Sequence, residues 1–132
     1  MNIAVRYYSR SGNTKVIAEA IAEAAGVNAV SVDAAEAPID GKADILFIGG
    51  ALYAYGLDGH LKEYLSSVTK ESVGKAVVFS TSWLSKHALD LIGAALKEKG
   101  IPVEKDTFYV KSKEVQSQVS AAKSFAKRFM AE

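Results

Sequence analysis

The sequence predicts an α/β domain built on a doubly wound, five-stranded parallel sheet with helices on both faces. Short apolar segments alternate with segments of helical spacing along the chain, and the third and fourth apolar segments in particular are continuously apolar over four residues. Such continuous apolar character is typical of strands covered on both faces. Parallel strands also need right-handed crossovers, which the helical segments can supply. With 132 residues, the chain is expected to form one domain spanning 1–132.

Five short segments rich in valine, isoleucine and phenylalanine are the predicted strands. They lie at Ile3–Val5, Ala29–Val32, Ile45–Ile48, Ala76–Phe79 and Phe108–Val110. Arg6 does not fit this pattern, because it lies in the first strand, which should be central and buried. A buried guanidinium without a partner is costly. We therefore expect Arg6 to reach an acid such as Asp33 or to lie at the rim of the sheet.

Four segments carry apolar stripes at the helical period. The predicted helices run from Thr14 to near Gly26, from the N-cap Asp58 to Val68, from the cap Ser85 to Gly100, and from Val115 to Phe129. Residues 33–43 follow neither period. This acidic, alanine-rich segment is expected to form the second crossover in irregular or partly helical form.

Composition narrows the possible functions. The net charge is +1 and there is no cysteine, which rules out a disulfide, a thiolate nucleophile and a cysteine-ligated metal centre. Any redox chemistry must therefore come from a bound cofactor.

No segment is long and apolar enough for a membrane span, and the first residues do not resemble a secretory signal, so a cytoplasmic location is expected. The basic residues around the last helix indicate a solvated face rather than a nucleic-acid site.

The loop Ser9–Thr14 joins the first strand to the first helix and is the strongest functional signal. Gly12 allows the backbone to curl so that successive N–H groups converge, and the helix start adds unpaired donors and the positive end of its dipole. Ser9, Ser11 and Thr14 offer hydroxyls, with the Asn13 amide beside them. Three hydroxyls and a glycine within six residues favour a phosphate cradle over a simple turn and cap.

Several phosphate-handling classes lack their required residues here. No lysine follows Gly12, as a P-loop NTPase requires, and no Gly-x-Gly-x-x-Gly follows the first strand. The acids of a response-regulator receiver and the cysteine of a low-molecular-weight phosphatase are also missing. The loop is therefore interpreted as one that binds a phosphate without cleaving it.

At this point the chain resembles the flavodoxin family. In that family a Ser/Thr-x-Ser/Thr-Gly-x-Thr loop holds the phosphate of FMN, and here the motif is Ser9-Arg10-Ser11-Gly12-Asn13-Thr14. The similarity continues through Asp44–Tyr53, Leu61–Leu65 and Ala76–Trp83. It implies the strand order 2-1-3-4-5, of which flavodoxin is the type example, with the ligand at the switch point between strands 1 and 3. The short span 103–110 resembles that of short-chain members.

The resemblance also implies which residues bind the cofactor. The cofactor-binding set would be Ser9, Arg10, Ser11, Gly12, Asn13, Thr14, Ala51, Leu52, Tyr53, Ala54, Tyr55, Thr81, Ser82 and Trp83. Among these, Tyr53, Tyr55 and Trp83 are the candidates for stacking on the isoalloxazine ring. Arg10 would either attract the phosphate or point outward. No catalytic residue and no metal ligand is expected, and His60 and His87 are interpreted as surface histidines.

Three functions are compatible with this similarity. The favoured one is a small electron-transfer protein that cycles FMN between oxidised, semiquinone and hydroquinone states and exchanges electrons with redox partner proteins. The alternative is an FMN-dependent oxidoreductase similar to quinone reductases or menaquinone-dependent protoporphyrinogen oxidases. A third is an interaction domain of the same fold that has lost FMN. The first is favoured because the resemblance implies contacts to the ring and the phosphate, whereas the sequence offers no evident acid, base or nucleophile for substrate chemistry.

Overall fold

A single parallel sheet forms the centre of the molecule. The computed structural model describes residues 1–54 and 56–130. Its strands are β1 (Ile3–Tyr7), β2 (Ala29–Ser31), β3 (Ala43–Ala51), β4 (Val73–Ser82) and β5 (Phe108–Lys111). They pair in the order β2-β1-β3-β4-β5, and every pair is parallel. The predicted fold class and strand order are both confirmed.

Helices cover both faces of the sheet and define two cores. They are α1 (Asn13–Ala25), α2 (Gly59–Ser67), α3 (His87–Glu98) and α4 (Val119–Met130), with a 3₁₀ helix at Ser112–Gln118. One core packs α1 and α4 against side chains such as Phe47 and Phe79, and the other packs α2 and α3 against side chains such as Ile48 and Val78. Consecutive strand residues thus alternate between the two cores. In the described part of the chain, no helix is both long and apolar enough to cross a bilayer.

The predicted helix boundaries hold at most ends. Gly26 ends α1 in the left-handed conformation, with φ 73°, and Asp58 caps α2 by accepting the His60 N–H. The third helix begins one residue later than predicted, at His87, although the Ser85 hydroxyl still accepts the His87 N–H at 3.1 Å. Residues 33–43 are irregular over almost their whole length, in agreement with the sequence.

The single helix predicted from Val115 to Phe129 is wrong in its first part. Residues Ser112–Gln118 are 3₁₀, and α-helical geometry begins only at Val119. The Ser117 hydroxyl donates to the Glu114 carbonyl at 2.9 Å, and such a bond competes with the α-helical pattern. Val115 is buried all the same, so the apolar spacing was a sound guide to packing but not to the helix type.

Among the described residues Arg6 reaches no acid, and it does not lie at the rim of the sheet, which corrects the expectation. It lies half-buried on the central strand β1, where its Nε donates to the Ala37 carbonyl at 2.7 Å. The Tyr64 hydroxyl donates to the same carbonyl at 2.7 Å. Asp33 accepts instead from the Ser31 hydroxyl. A carbonyl in an irregular segment has no ladder partner, so it is free to satisfy the guanidinium and ties the crossover to the sheet.

Candidate functional site

The three predicted groups of site residues follow neighbouring strands and meet at one edge of the sheet. Because β1, β3 and β4 are adjacent and parallel, the loops that follow them emerge together. Two side-chain contacts join these loops directly. Thr14 bonds to Thr81, and Arg10 bonds to Asp58. Residues from all three segments thus border one region at the carboxyl ends of the strands.

The loop after β1 presents an open helix N-terminus. Gly12 is the N-cap of α1 and has φ 94°, a left-handed conformation that favours glycine. The Ser9 hydroxyl accepts the Gly12 N–H at 2.9 Å and holds the turn. Among the described residues, no side chain caps this helix and no acid lies in its first turn. The first N–H groups of α1 are therefore available to an anion, and the dipole end favours one.

Thr14 pairs with a second residue of the predicted cofactor-binding set. Its side chain is buried, and its hydroxyl lies 2.7 Å from the Thr81 hydroxyl on β4. This bond connects the first turn of α1 to the end of a strand two positions away in the sheet. Exposed Ser11 is left as the loop hydroxyl that faces solvent. An anion bound at this loop would therefore depend mainly on the backbone N–H groups.

Arg10 belongs to a cluster that joins the first loop to the start of α2. Its Nε and one terminal nitrogen donate to one Asp58 carboxylate oxygen at 2.8 and 2.5 Å. The guanidinium carbon lies 3.9 Å from the centre of the Tyr53 ring. The other Asp58 oxygen accepts the His60 N–H at 2.7 Å and faces His60 Nδ1 at 2.9 Å. The sequence left the role of Arg10 open, and the structure gives its charge a partner.

The Asp58 carboxylate is buried, and both of its oxygens accept hydrogen bonds from protein groups. Burial raises the pKa of the Asp58 carboxyl, but the hydrogen bonds from His60 and Arg10, with the Arg10 charge, together bring that pKa below its ordinary value of 3.8. The charged form is therefore favoured in the folded protein. This residue was predicted only as a helix cap, and it is also the shared acceptor of Arg10 and His60.

Replacing Asp58 with Asn is expected to lower the free energy of unfolding at pH 7 by about 2 kcal/mol, because charge-assisted bonds of a buried group are lost. Since the folded-state pKa of Asp58 is lowered, its contribution is present above pH 3.8 and is lost as the pH falls through that lower value. Urea unfolding of both proteins at pH 7 and pH 2 checks this. A stability difference unchanged at pH 2 would contradict the ionic origin.

The loops assigned to the ring have mixed exposure. Ala51 ends β3, Leu52 and Tyr53 are half-buried, and Ala54 is exposed. Burial raises the pKa of the Tyr53 hydroxyl, partly offset by Arg10. Tyr55 lies outside the described residues. On the other side, Thr81 and Ser82 are buried and Trp83 is 73% exposed. Trp83 is therefore accessible for stacking, and it is not a core tryptophan.

Sequence reasoning missed two residues of this region. Tyr8 was not among the predicted site residues, yet it follows β1, which ends at Tyr7, and its ring stacks on His60 with centroids 4.8 Å apart. His60 is exposed, as expected for a surface histidine, but it also contacts the Asp58 carboxylate, which the sequence analysis did not predict. The Asp-x-His spacing at a helix start was the available signal. His87 is exposed, 3.7 Å from Asp90, as expected for a surface histidine.

A cleft of about 790 Å³ adjoins the loop after β3, on the face of the sheet that α2 and α3 cover. Its apolar lining consists mainly of Leu52, Leu57, Leu65, Leu91 and Ala95. The cleft touches the loop after β3 but none of its lining residues comes from the loop after β1 or from residues 81–83. The cleft therefore lies beside the loop after β3 and does not include the loop after β1.

The comparisons with known proteins agree with this architecture. A family model of the flavodoxin domain matches residues 4–126, so the chain belongs to the flavodoxin family. The predicted membership is thereby confirmed. No curated protein sequence matches the chain significantly.

Solved structures with the same fold span nearly the whole chain. Oxidised Flavodoxin 1 from Bacillus cereus has a TM-score of 0.82 at 22% identity, covering 100% of this chain and 99% of its own. A short-chain flavodoxin associated with a non-canonical PDU bacterial microcompartment has 0.77 at 17% identity, covering 96% and 95%. An NADH:FMN oxidoreductase in its apo form has 0.66 at 19% identity, covering 96% and 88%. At these identities the likeness shows the fold.

Proposed function

We propose that this protein is an FMN-binding flavodoxin that carries electrons between redox partner proteins in the cytoplasm. The observation that carries the proposal is the uncapped N-terminus of α1 behind left-handed Gly12, placed beside the loops after β3 and β4. An anion-binding loop alone would suit many ligands. Its position next to the loops after β3 and β4, in a chain of the flavodoxin family, supports a phosphorylated flavin as the ligand.

The residues present fit such a ligand. The N–H groups of the first turn of α1 and the Ser11 hydroxyl would hold the phosphate, with no acid in that turn to repel it. Tyr53 and Trp83 would contact the ring from the two flanking loops, and buried Thr81 would help to keep the second loop in place. When bound, FMN supplies the electron-transfer chemistry that the side chains of this chain lack. The protein's own residues anchor and orient it.

A second candidate is an FMN-dependent oxidoreductase that acts on a small molecule. The apolar cleft beside Leu52 and Tyr53 favours it, because a substrate there would touch the loop assigned to the ring. This candidate requires the same flavin and differs in what receives the electrons. A carrier passes them to another protein, whereas an enzyme turns over a substrate without one.

Spectroscopy and turnover measurements test both candidates. The purified protein is expected to show flavin absorption in the visible range or to quench the fluorescence of added FMN. Anaerobic reduction is expected to accumulate the one-electron reduced form, with negligible oxidation of NAD(P)H or reduction of quinones. A colourless protein that leaves FMN fluorescence unchanged contradicts both candidates. Rapid steady-state turnover without a partner protein favours the enzyme.

A further inference from the structure

We infer that Arg10 is a positioning residue, which orders the loop after β3 by holding the Tyr53 ring, and is not a phosphate ligand. The inference rests on the proposed function, since it concerns how the same site receives a flavin. It assigns a role to the one member of the phosphate motif that carries a full charge. The evidence consists of the partners of the Arg10 guanidinium and the geometry of the loop that it touches.

The charge of Arg10 is already matched within the protein. Two of its nitrogens donate to the same carboxylate oxygen of Asp58, which is 5% exposed and fixed in turn by two contacts with His60. A guanidinium held by a buried carboxylate forms a nearly neutral pair. A phosphate that drew the guanidinium away from Asp58 would leave a buried carboxylate without its cation, which is costly.

The guanidinium of Arg10 lies over the Tyr53 ring. The separation of 3.9 Å from the ring centre is a close cation–π contact. Tyr53 is also where the loop folds back on itself, because its N–H donates to the Gly56 carbonyl at 2.8 Å and its carbonyl accepts the Gly56 N–H at 3.0 Å. Fixing the Tyr53 ring therefore fixes the base of this turn. Asp58, at the start of α2, closes the connection on the far side.

This arrangement makes the order of the loop after β3 depend on the position of the loop after β1. Arg10 lies between Ser9 and Ser11, so movement of the loop after β1 is transmitted to Tyr53, which contacts both the guanidinium and the backbone of Arg10. A lysine at the same position could still pair with Asp58, but it lacks the planar fork and the flat surface that stacks on the ring. The Arg10→Lys variant therefore separates charge, which it keeps, from stacking, which it loses.

Flavin binding by the Arg10→Lys variant is the first measurement. Fluorescence titration with FMN and with riboflavin is expected to show both affinities falling by the same factor, about five- to twentyfold. The Tyr53→Leu variant is expected to lose both affinities as well, and adding Arg10→Lys to it should cause little further loss. A loss confined to FMN would assign Arg10 to the phosphate, and no loss of either affinity would remove its role. Both of these results overturn the inference.

Amide hydrogen exchange in the protein without flavin is the second measurement. The N–H groups of Tyr53 and Gly56 are expected to exchange at least about fivefold faster in the Arg10→Lys variant. Unchanged exchange overturns the inference even if flavin binding is altered. If the unmodified protein binds no flavin, the proposed function fails, and this measurement still decides whether Arg10 orders the loop.

Arg128 provides a matched control on α4. Its terminal nitrogen lies 2.6 Å from Asp106, and its guanidinium carbon lies 5.6 Å from the centre of the Phe125 ring. The Arg128→Lys variant thus makes the same chemical change at an exposed ion pair away from the loops. It is expected to leave both flavin affinities and the exchange of Tyr53 and Gly56 unchanged. Far-UV circular dichroism checks that both lysine variants are folded.

Discussion

Replacing Ser11 with Asp is expected to weaken FMN binding by at least about 100-fold while leaving riboflavin binding nearly unchanged. Ser11 is exposed just before Gly12, beside the first N–H groups of α1. A carboxylate there would occupy the same donors as the phosphate and would repel it. Two like charges 4 Å apart repel by about 4 kcal/mol at an effective dielectric constant of 20. Fluorescence titration with the two flavins measures the ratio directly.

The Ser11→Asn variant is the control for this experiment, because it has a similar size and no charge. It is expected to lose much less FMN affinity than the aspartate variant. The aspartate should not weaken the fold, since an acid near a helix N-terminus is favourable. Equal weakening of FMN and riboflavin by Ser11→Asp would mean that the loop after β1 does not contact the phosphate.

Most of the fold could be predicted because its signals are local. A fully apolar segment such as Ile45–Ile48 specifies a strand covered on both faces, and Gly26 and Asp58 mark helix ends through their own backbone and side-chain chemistry. The exceptions depend on competing local bonds. The Ser117 hydroxyl bond to Glu114 accompanies the 3₁₀ start of the last helical segment, and apolar spacing carries no information about such a bond.

The site was only partly predictable, because its contacts join residues far apart in the sequence. The motif located the loop after β1, but it could not show that the Thr14 hydroxyl lies against Thr81, 67 positions away. Likewise, Arg10 and Asp58 are 48 positions apart and meet only when β1 and β3 pair. A lone charged residue in a loop therefore has no assignable partner until the register of the sheet is known.

Replacing Gly49 with Ala is expected to lower the free energy of unfolding by about 3 kcal/mol or more. A Cβ at Gly49 would lie 2.4 Å from two atoms of the Phe79 ring and 2.6 Å from the Phe79 carbonyl oxygen. Phe79 is fully buried on the paired strand β4, so neither the ring nor the backbone can move freely. Overpacking of a filled core costs about 1–3 kcal/mol, and a backbone clash adds to it. Urea unfolding measures the change.

Gly50 and Gly59 give graded controls for that result. A Cβ at Gly50 would lie 2.4 Å from the end of the Leu61 side chain and no closer than 3.9 Å to the Tyr8 carbonyl oxygen. Since the end of a side chain can shift more easily than the backbone, Gly50→Ala should cost less than Gly49→Ala. At Gly59, in the first turn of α2, nothing lies within 4 Å, and alanine should be neutral or slightly stabilising. A cost for Gly49→Ala no greater than that for Gly50→Ala would contradict the clash with Phe79. The expected order follows from one geometric fact: at Gly49 the space that a Cβ would need is already occupied by the ring and the carbonyl oxygen of Phe79.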